Sequence, residues 1–292
     1  MTEHQHQHYY VPEQSYWPIL GSIGLFTLIV GGINILHQHA YAWYIFFTGA
    51  LIVAFMLFGW FSAVISESRH DLYSPQLDRS FRWGMVWFIF SEVMFFGAFF
   101  GALFYARHFS VPWMGGIGAK LATHTVLWDN FKAVWPLLQN PDPTKYIGPT
   151  EAMSAWGIPA INTLILLTSG VTVTIAHFAL KNNERTKLAL ALFATILLGI
   201  SFLCIQAYEY HHAYTEMGLT LHSGIYGTTF FMLTGFHGAH VTIGTIMLII
   251  ILLRCLKGHF TPEKHFGFEA TAWYWHFVDV VWLMLFIFVY WL

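Results

Sequence analysis

Five polar residues inside otherwise apolar stretches are the ones that can do chemistry. Glu92 stands alone in Phe88-Ile-Phe-Ser-Glu-Val-Met-Phe-Phe. A carboxyl there can handle protons or meet a lipid or partner; equally, it can be a protonated group hydrogen-bonded to another helix. His237 and His240 are three apart and share a helix face. Two such histidines can bind a metal if further ligands lie at the same depth. His276 and Asp279, also three apart, are the candidates to supply them. Thr234, Gly235, Gly238 and Gly244 surround the first pair and favour close helix contact instead, so a hydrogen-bonded network between helices is the plainer account of all four. His177 and Glu209 fall near helix ends, where water and partners are expected to reach them. His4, His6 and His8 read as a solvated tail with incidental metal affinity.

These residues need elements to hold them, and the composition says which. Hydrophobic residues make up 57% of the 292 and charged residues 10%, against about 25% charged in a soluble domain. Seven stretches are long enough to span a bilayer as helices, which takes about 20 residues each. They run roughly from Trp17 to Leu36, Tyr41 to Ile65, Trp83 to Ala106, Pro159 to Lys181, Leu188 to Tyr208, Ser223 to Leu253, and Ala270 to the end. The expected organisation is a polar tail (1–16), a two-helix segment (17–66), a charged inner connection (67–82), and five helices (83–292) with a long outer loop at about 107–156. Without Lys or Arg before Trp17, the first apolar stretch is expected to be retained rather than cleaved.

Basic residues orient the spans. With the N-terminus cytoplasmic, three connections on its side carry Arg69, Arg79 and Arg82; Lys181, Arg185 and Lys187; and Arg254, Lys257 and Lys264. The C-terminus then lies outside, periplasmic in a bacterium. Cys204 and Cys255 fall near opposite faces and form no pair. A net charge of -2 suggests no nucleic-acid partner. Motifs for nucleotide, zinc-protease and serine-hydrolase chemistry are missing.

Long strings then resemble one family. Tyr226-Gly-Thr-Thr-Phe-Phe-Met-Leu-Thr-Gly-Phe-His-Gly-Ala-His-Val and His265-Phe-Gly-Phe-Glu-Ala-Thr-Ala-Trp-Tyr-Trp-His-Phe-Val-Asp-Val-Val-Trp are similar to subunit III of cytochrome c oxidase. Arg82-Trp-Gly-Met, Ser91-Glu-Val-Met-Phe-Phe, Asn162-Thr, Ser169-Gly-Val-Thr-Val-Thr-Ile-Ala-His and Tyr16-Trp-Pro agree, so the likeness covers nearly the whole chain. Two departures stand out. The segment from Ser110 to Trp156 is longer than in mitochondrial members, which points to a bacterial protein, and Phe178 stands where the family often has a second histidine.

The resemblance implies an all-α integral membrane fold of seven transmembrane helices in two bundles, helices 1–2 and 3–7, with a lipid-holding V-shaped cleft. It implies an accessory subunit of a proton-pumping oxidase in the bacterial inner membrane, with no catalytic residue and no metal of its own. Haem and copper would sit in partner subunits I and II, cytochrome c would deliver electrons to the complex, and structural phospholipids would be held. Residue by residue, Glu92 matches the family's intramembrane carboxylate. Glu67, His70, Arg254 and His265 fall on lipid head-group positions; for Arg254, snorkelling to a phosphate suits a cation at a helix end. His237, His240, His276 and Asp279 remain an inter-helix polar network. Three alternatives compete: an enzyme holding its own haem through His177, His237, His240 and His276; a transporter using Glu92 and Asp279; and a quinol oxidase subunit. The mismatched depths of the histidines weigh against the first, the lack of an internal repeat against the second, and the presence of the first two spans against the third.

Overall fold

The computed structural model describes Tyr10, residues 14–70 and residues 72–292. His4, His6, His8 and most of the expected tail lie outside the described residues. Among the described residues, seven helices are long and apolar enough to cross a membrane. They are α1 (Trp17–Leu36), α2 (Ala42–Arg69), α3 (Pro75–Tyr105), α4 (Ile158–Lys181), α5 (Arg185–Thr215), α6 (Ile225–Leu256) and α7 (Phe266–Leu285). The chain divides into two compact units, Met1–Trp83 and Gly84–Leu292, with the boundary inside α3.

In the first unit α1 and α2 form a hairpin. Lipid is as apolar as leucine, so helix pairs in it are held by close packing rather than by a hydrophobic drive. Small residues make that packing here: the buried positions of α1 are Gly21, Gly24 and Gly31. A Cβ at Gly31 would strike the backbone of Phe46, and one at Gly49 the backbone of Leu28. The outward faces carry Phe26, Leu51 and Phe58, all largely exposed, as lipid-facing residues should be.

The charged segment 67–82 is mostly helix rather than connection. α2 continues to Arg69 and α3 already starts at Pro75. Proline suits a first helical turn because its missing N–H would have no partner there. Arg82 Nε then donates to Asp78 Oδ2 at 3.0 Å, one turn away, which supports the early start. Only 70–74 lies between the two helices.

In the second unit α4, α5, α6 and α7 pack as a ring, each against its neighbours and α7 back against α4. Its core holds Trp275, Trp282, Phe202, Phe230 and Phe268, all fully buried. Glycines make room for the largest of these: a Cβ at Gly199 would come 2.8 Å from the Trp275 ring, and one at Gly244 2.9 Å from it. Each indole N–H finds an acceptor on α4. Trp275 Nε1 donates to Ser169 Oγ and Trp282 Nε1 to Thr163 Oγ1, both at 2.9 Å. α3 meets this ring through side chains, with Phe95 edge-on to Phe236 and Phe96 beside Phe277.

The long loop begins later than its composition suggests, because α3 runs on through a π-helical turn (Ala106–Ser110) into Val111–Met114. A further short helix covers Leu121–Leu127. The rest is pinned to the ring. Asn140 Nδ2 donates to the Ser223 carbonyl at 3.0 Å, and Met153 N–H donates to Tyr226 Oη at 3.0 Å.

Candidate functional site

The four residues expected to form one polar network divide among three separate places. His240 turns to α3. Its Nδ1 lies 2.7 Å from the Phe236 carbonyl, and its Nε2 lies 2.9 Å from Glu92 Oε2. A carbonyl only accepts, so Nδ1 carries a hydrogen. The Nε2–Oε2 contact therefore holds one proton, which belongs either to the ring or to the carboxyl. Phe95, Phe96 and Tyr274 enclose the imidazole. The arrangement can keep a carboxyl at membrane depth and pass one proton across 2.9 Å.

His237, one turn earlier on α6, points to α7 instead. Its Nε2 is 3.2 Å from the Val278 carbonyl, and its ring packs on Trp282 and edge-on to Phe202. Nδ1 is buried without a partner. His276 and Asp279 face α4. His276 Nε2 lies 3.2 Å from Thr174 Oγ1, and its Nδ1 is 4.0 Å from Asp279 Oδ2. The carboxyl occupies the space a side chain at Gly170 would need. Among the described residues no three His, Cys, Asp or Glu side chains converge as a metal site would require.

Glu209 corrects an expectation. It is 1% exposed rather than reachable by water. Tyr290 Oη donates to its Oε1 at 2.6 Å and Gln206 Nε2 does so at 3.3 Å. α5 runs to Thr215, six residues beyond it, so Glu209 sits inside the bundle and not at its end.

The four head-group candidates fall in different units. In the first, Tyr73 Oη donates to Glu67 Oε2 at 2.8 Å, and His70 Nδ1 donates to the Ser66 carbonyl at 2.8 Å. Burial and then the Glu67 carboxylate push the Tyr73 hydroxyl well above its ordinary value, so it stays a donor. In the second, the Arg254 guanidinium sits 4.3 Å above the Phe260 ring, a cation–π contact. A Cβ at Gly267 would lie 3.1 Å from Arg254 Nη1. His265 precedes α7, 3.2 Å from the Thr261 carbonyl through Nδ1 and edge-on to His177 at 5.3 Å. Arg254, His265 and His177 thus gather where α4 and α6 end and α7 begins.

Spacing put His276 beside Asp279 and His237 toward α7, but it did not pair His240 with Glu92, Tyr73 with Glu67 or Tyr290 with Glu209. The signal it had for Asp279 was Gly170 within Ser169-Gly-Val-Thr: a small residue that marks close approach without naming what approaches. Tyr73 and Tyr290 carried no signal, since tyrosines are scattered throughout the chain.

The family model for cytochrome c oxidase subunit III matches residues 6–127 and 143–292. A probable cytochrome c oxidase subunit 3 from Rickettsia bellii is 42% identical over 285 residues, covering 97% of this chain and 94% of the relative. Cytochrome c oxidase subunit 3 of Drosophila melanogaster is 41% identical over 292 residues, covering 100% and 99%. That of Marchantia polymorpha is 42% identical over 294 residues, covering 100% and 98%.

Proposed function

This chain belongs to the cytochrome c oxidase subunit III family, and from that premise we propose that it stabilises the haem-copper core of its oxidase, supports proton uptake there and holds phospholipid. It is a non-catalytic subunit of the respiratory oxidase and an integral membrane protein with seven spans. The match along almost the entire chain carries this reading.

The partners are the oxidase subunits I and II, which hold haem and copper, and cytochrome c is the electron donor to the complex. The presence of α1 and α2 favours cytochrome c over quinol. The membrane is a bacterial inner membrane, with the N-terminus cytoplasmic and the C-terminus periplasmic. Phospholipid head groups meet Glu67 and His70 in one unit and Arg254 and His265 in the other. Glu92 supports the core from within the membrane without taking part in the chemistry. An accessory role suits the way the polar side chains of the spans engage neighbouring helices, as Glu92 does His240.

The test is optical and metal analysis of a tagged, purified form before and after its partners are stripped. Haem and copper should leave with the co-purifying chains; their retention on this chain alone would overturn the proposal. In the intact oxidase, Arg254→Ala should lower the phospholipid that survives purification, and an unchanged lipid content would remove Arg254 from the head-group set.

A further inference from the structure

Three oxygens at one end of the second unit have no partner among the described residues: Asn162 Oδ1, Gln206 Oε1 and Glu209 Oε2. Their residues are 0%, 5% and 1% exposed, so bulk solvent does not reach them. Asn162 is near the start of α4, and Gln206 and Glu209 are near the end of α5. Tyr290, which bonds Glu209, belongs to the π-helical turn Phe286–Trp291 that follows α7. The site lies apart from the head-group positions and from the Glu92–His240 pair.

None of the hydrogens these side chains own reaches the three oxygens. Asn162 Nδ2 donates to the Phe202 carbonyl at 3.3 Å, one turn before Gln206 on α5. That bond orients the amide, because a carbonyl only accepts. Gln206 Nε2 donates to Glu209 Oε1 at 3.3 Å, and Tyr290 Oη donates to the same oxygen at 2.6 Å. Gln206 and Glu209 are three apart and share a face of α5. Both donors fall on Oε1, so Glu209 Oε2 and Gln206 Oε1 are left over on neighbouring side chains.

The charge on Glu209 does not remove the shortage. As a carboxylate it needs a donor at Oε2, and Gln206 Oε1 needs another. As a neutral acid it carries its hydrogen on Oε2, because Oε1 already receives two donors. That hydrogen then needs an acceptor, and the two leftover oxygens do not bond each other. An acyl chain answers neither form, and a metal cation answers only the carboxylate. Water answers both: it donates two hydrogens to the carboxylate form, or accepts one and donates one in the acid form. Buried water typically takes two to four such partners.

We infer that a water molecule is bound between Gln206 Oε1 and Glu209 Oε2, enclosed by the bundle. It completes a hydrogen-bonded chain from Tyr290 through Glu209 to Gln206, which ties the turn after α7 to α5. It also lets Glu209 take up or release a proton without leaving an oxygen unpaired.

The experiment is X-ray radiolysis of the purified oxidase, with oxidised side chains identified by mass. Radiolysis turns water into hydroxyl radicals, so bound water marks the rings beside it while dry buried rings stay unmarked. Tyr290, 7% exposed, should be oxidised at least fivefold faster than Trp275, a ring of comparable reactivity at 0%. Gln206→Met leaves the Tyr290–Glu209 bond in place and should cut the Tyr290 rate at least fivefold. Glu209→Gln can still donate to the water and should stay within twofold of the parent. A parent Tyr290 rate no higher than that of Trp275, or one that Gln206→Met leaves unchanged, overturns the water site. Sodium and potassium are measured in the same samples: one ion per chain that Glu209→Gln releases makes the occupant a cation and overturns it as well. If Gln206→Met raises the Trp275 rate, its fold is disturbed, and the parent ratio of Tyr290 to Trp275 decides alone.

Discussion

Replacing His240 by Leu should weaken the second unit far more than replacing Glu92 by Gln. The pair is 2.9 Å long, with side chains 13% and 21% exposed, so little water reaches it. His240→Leu leaves Glu92 Oε2 facing Phe95, Phe96 and the new leucine. A buried polar group deprived of its partner costs about 1–3 kcal/mol, or about 5- to 150-fold in an equilibrium constant. Glu92→Gln keeps a hydrogen bond. The Nδ1–H stays on the Phe236 carbonyl, so Nε2 accepts from the new amide, and the loss should be under about 1 kcal/mol. Glu92→Leu combined with His240→Leu removes both partners and should cost less than His240→Leu alone. The assay is unfolding of the purified, detergent-solubilised chain on titration with denaturant, followed by its tryptophan fluorescence. Midpoints should order as parent close to Glu92→Gln, then the double variant, then His240→Leu. A double variant as weak as the sum of its singles would refute the coupling, and so would an unaffected His240→Leu. Initial turnover of Glu92→Gln should stay largely intact; its complete loss would contradict an accessory role.

Three further outcomes follow from other places. Gly199→Ala puts a methyl 2.8 Å from Trp275 and 3.0 Å from Thr245 Oγ1, and the buried, hydrogen-bonded indole has little room to give. It should cost about 1–3 kcal/mol as overpacking, read by the same titration; an unchanged midpoint contradicts the fit. With the N-terminus cytoplasmic, Lys145→Cys in intact cells should react with an impermeant maleimide, and Lys187→Cys only after permeabilisation. The reverse pattern inverts the topology. The Asp142 carboxyl is held below its ordinary range chiefly by the Thr144 hydroxyl, with the Thr144 and Lys145 N–H groups assisting. Because the folded value is the lower one, the turn is favoured above the ordinary carboxylate range and loses that support as pH falls through the folded value. Hydrogen exchange at 144–146, corrected for intrinsic rate, should accelerate in acid for the parent and show no such step in Asp142→Asn; an acid-insensitive parent turn rules the clamp out.

The spans were legible because hydropathy over about 20 residues is a strong signal and lipid demands it. Their ends were less so. Helix ends outside the hydrocarbon obey capping and charge pairing instead: Pro75 with Asp78–Arg82 extends α3 backward, and Gln206–Glu209 lies in an α5 that runs to Thr215. Reading those charges as connection put Glu209 in water, whereas its partner Tyr290 comes from a π-helical turn 81 residues away. Pairings of this kind depend on the rotation of each helix about its axis. That rotation is set by glycine contacts such as Gly244 on Trp275, which composition and periodicity do not specify. The spacing of His237 and His240 put both on one helix face, yet 3.6 residues per turn leaves a few tens of degrees between residues three apart. That offset sends one ring to α7 and the other to α3.

The same offset separates two kinds of polar residue in the membrane. His240 and Glu92 close on each other, as do the two indoles with Ser169 and Thr163, so their bonds hold this chain's own helices together. His276 and Asp279 face α4 instead, and their bonds inside the chain stop at Thr174. Mutation should therefore divide them by phenotype. His240→Leu should disturb the second unit itself, lowering its own resistance to denaturant. Asp279→Leu removes a carboxyl whose Oδ1 has no partner within the chain, so it should leave that resistance intact or raise it. Measuring that resistance in both variants tests the division. If Asp279→Leu destabilises the second unit as His240→Leu does, its carboxyl belongs to the internal scaffold.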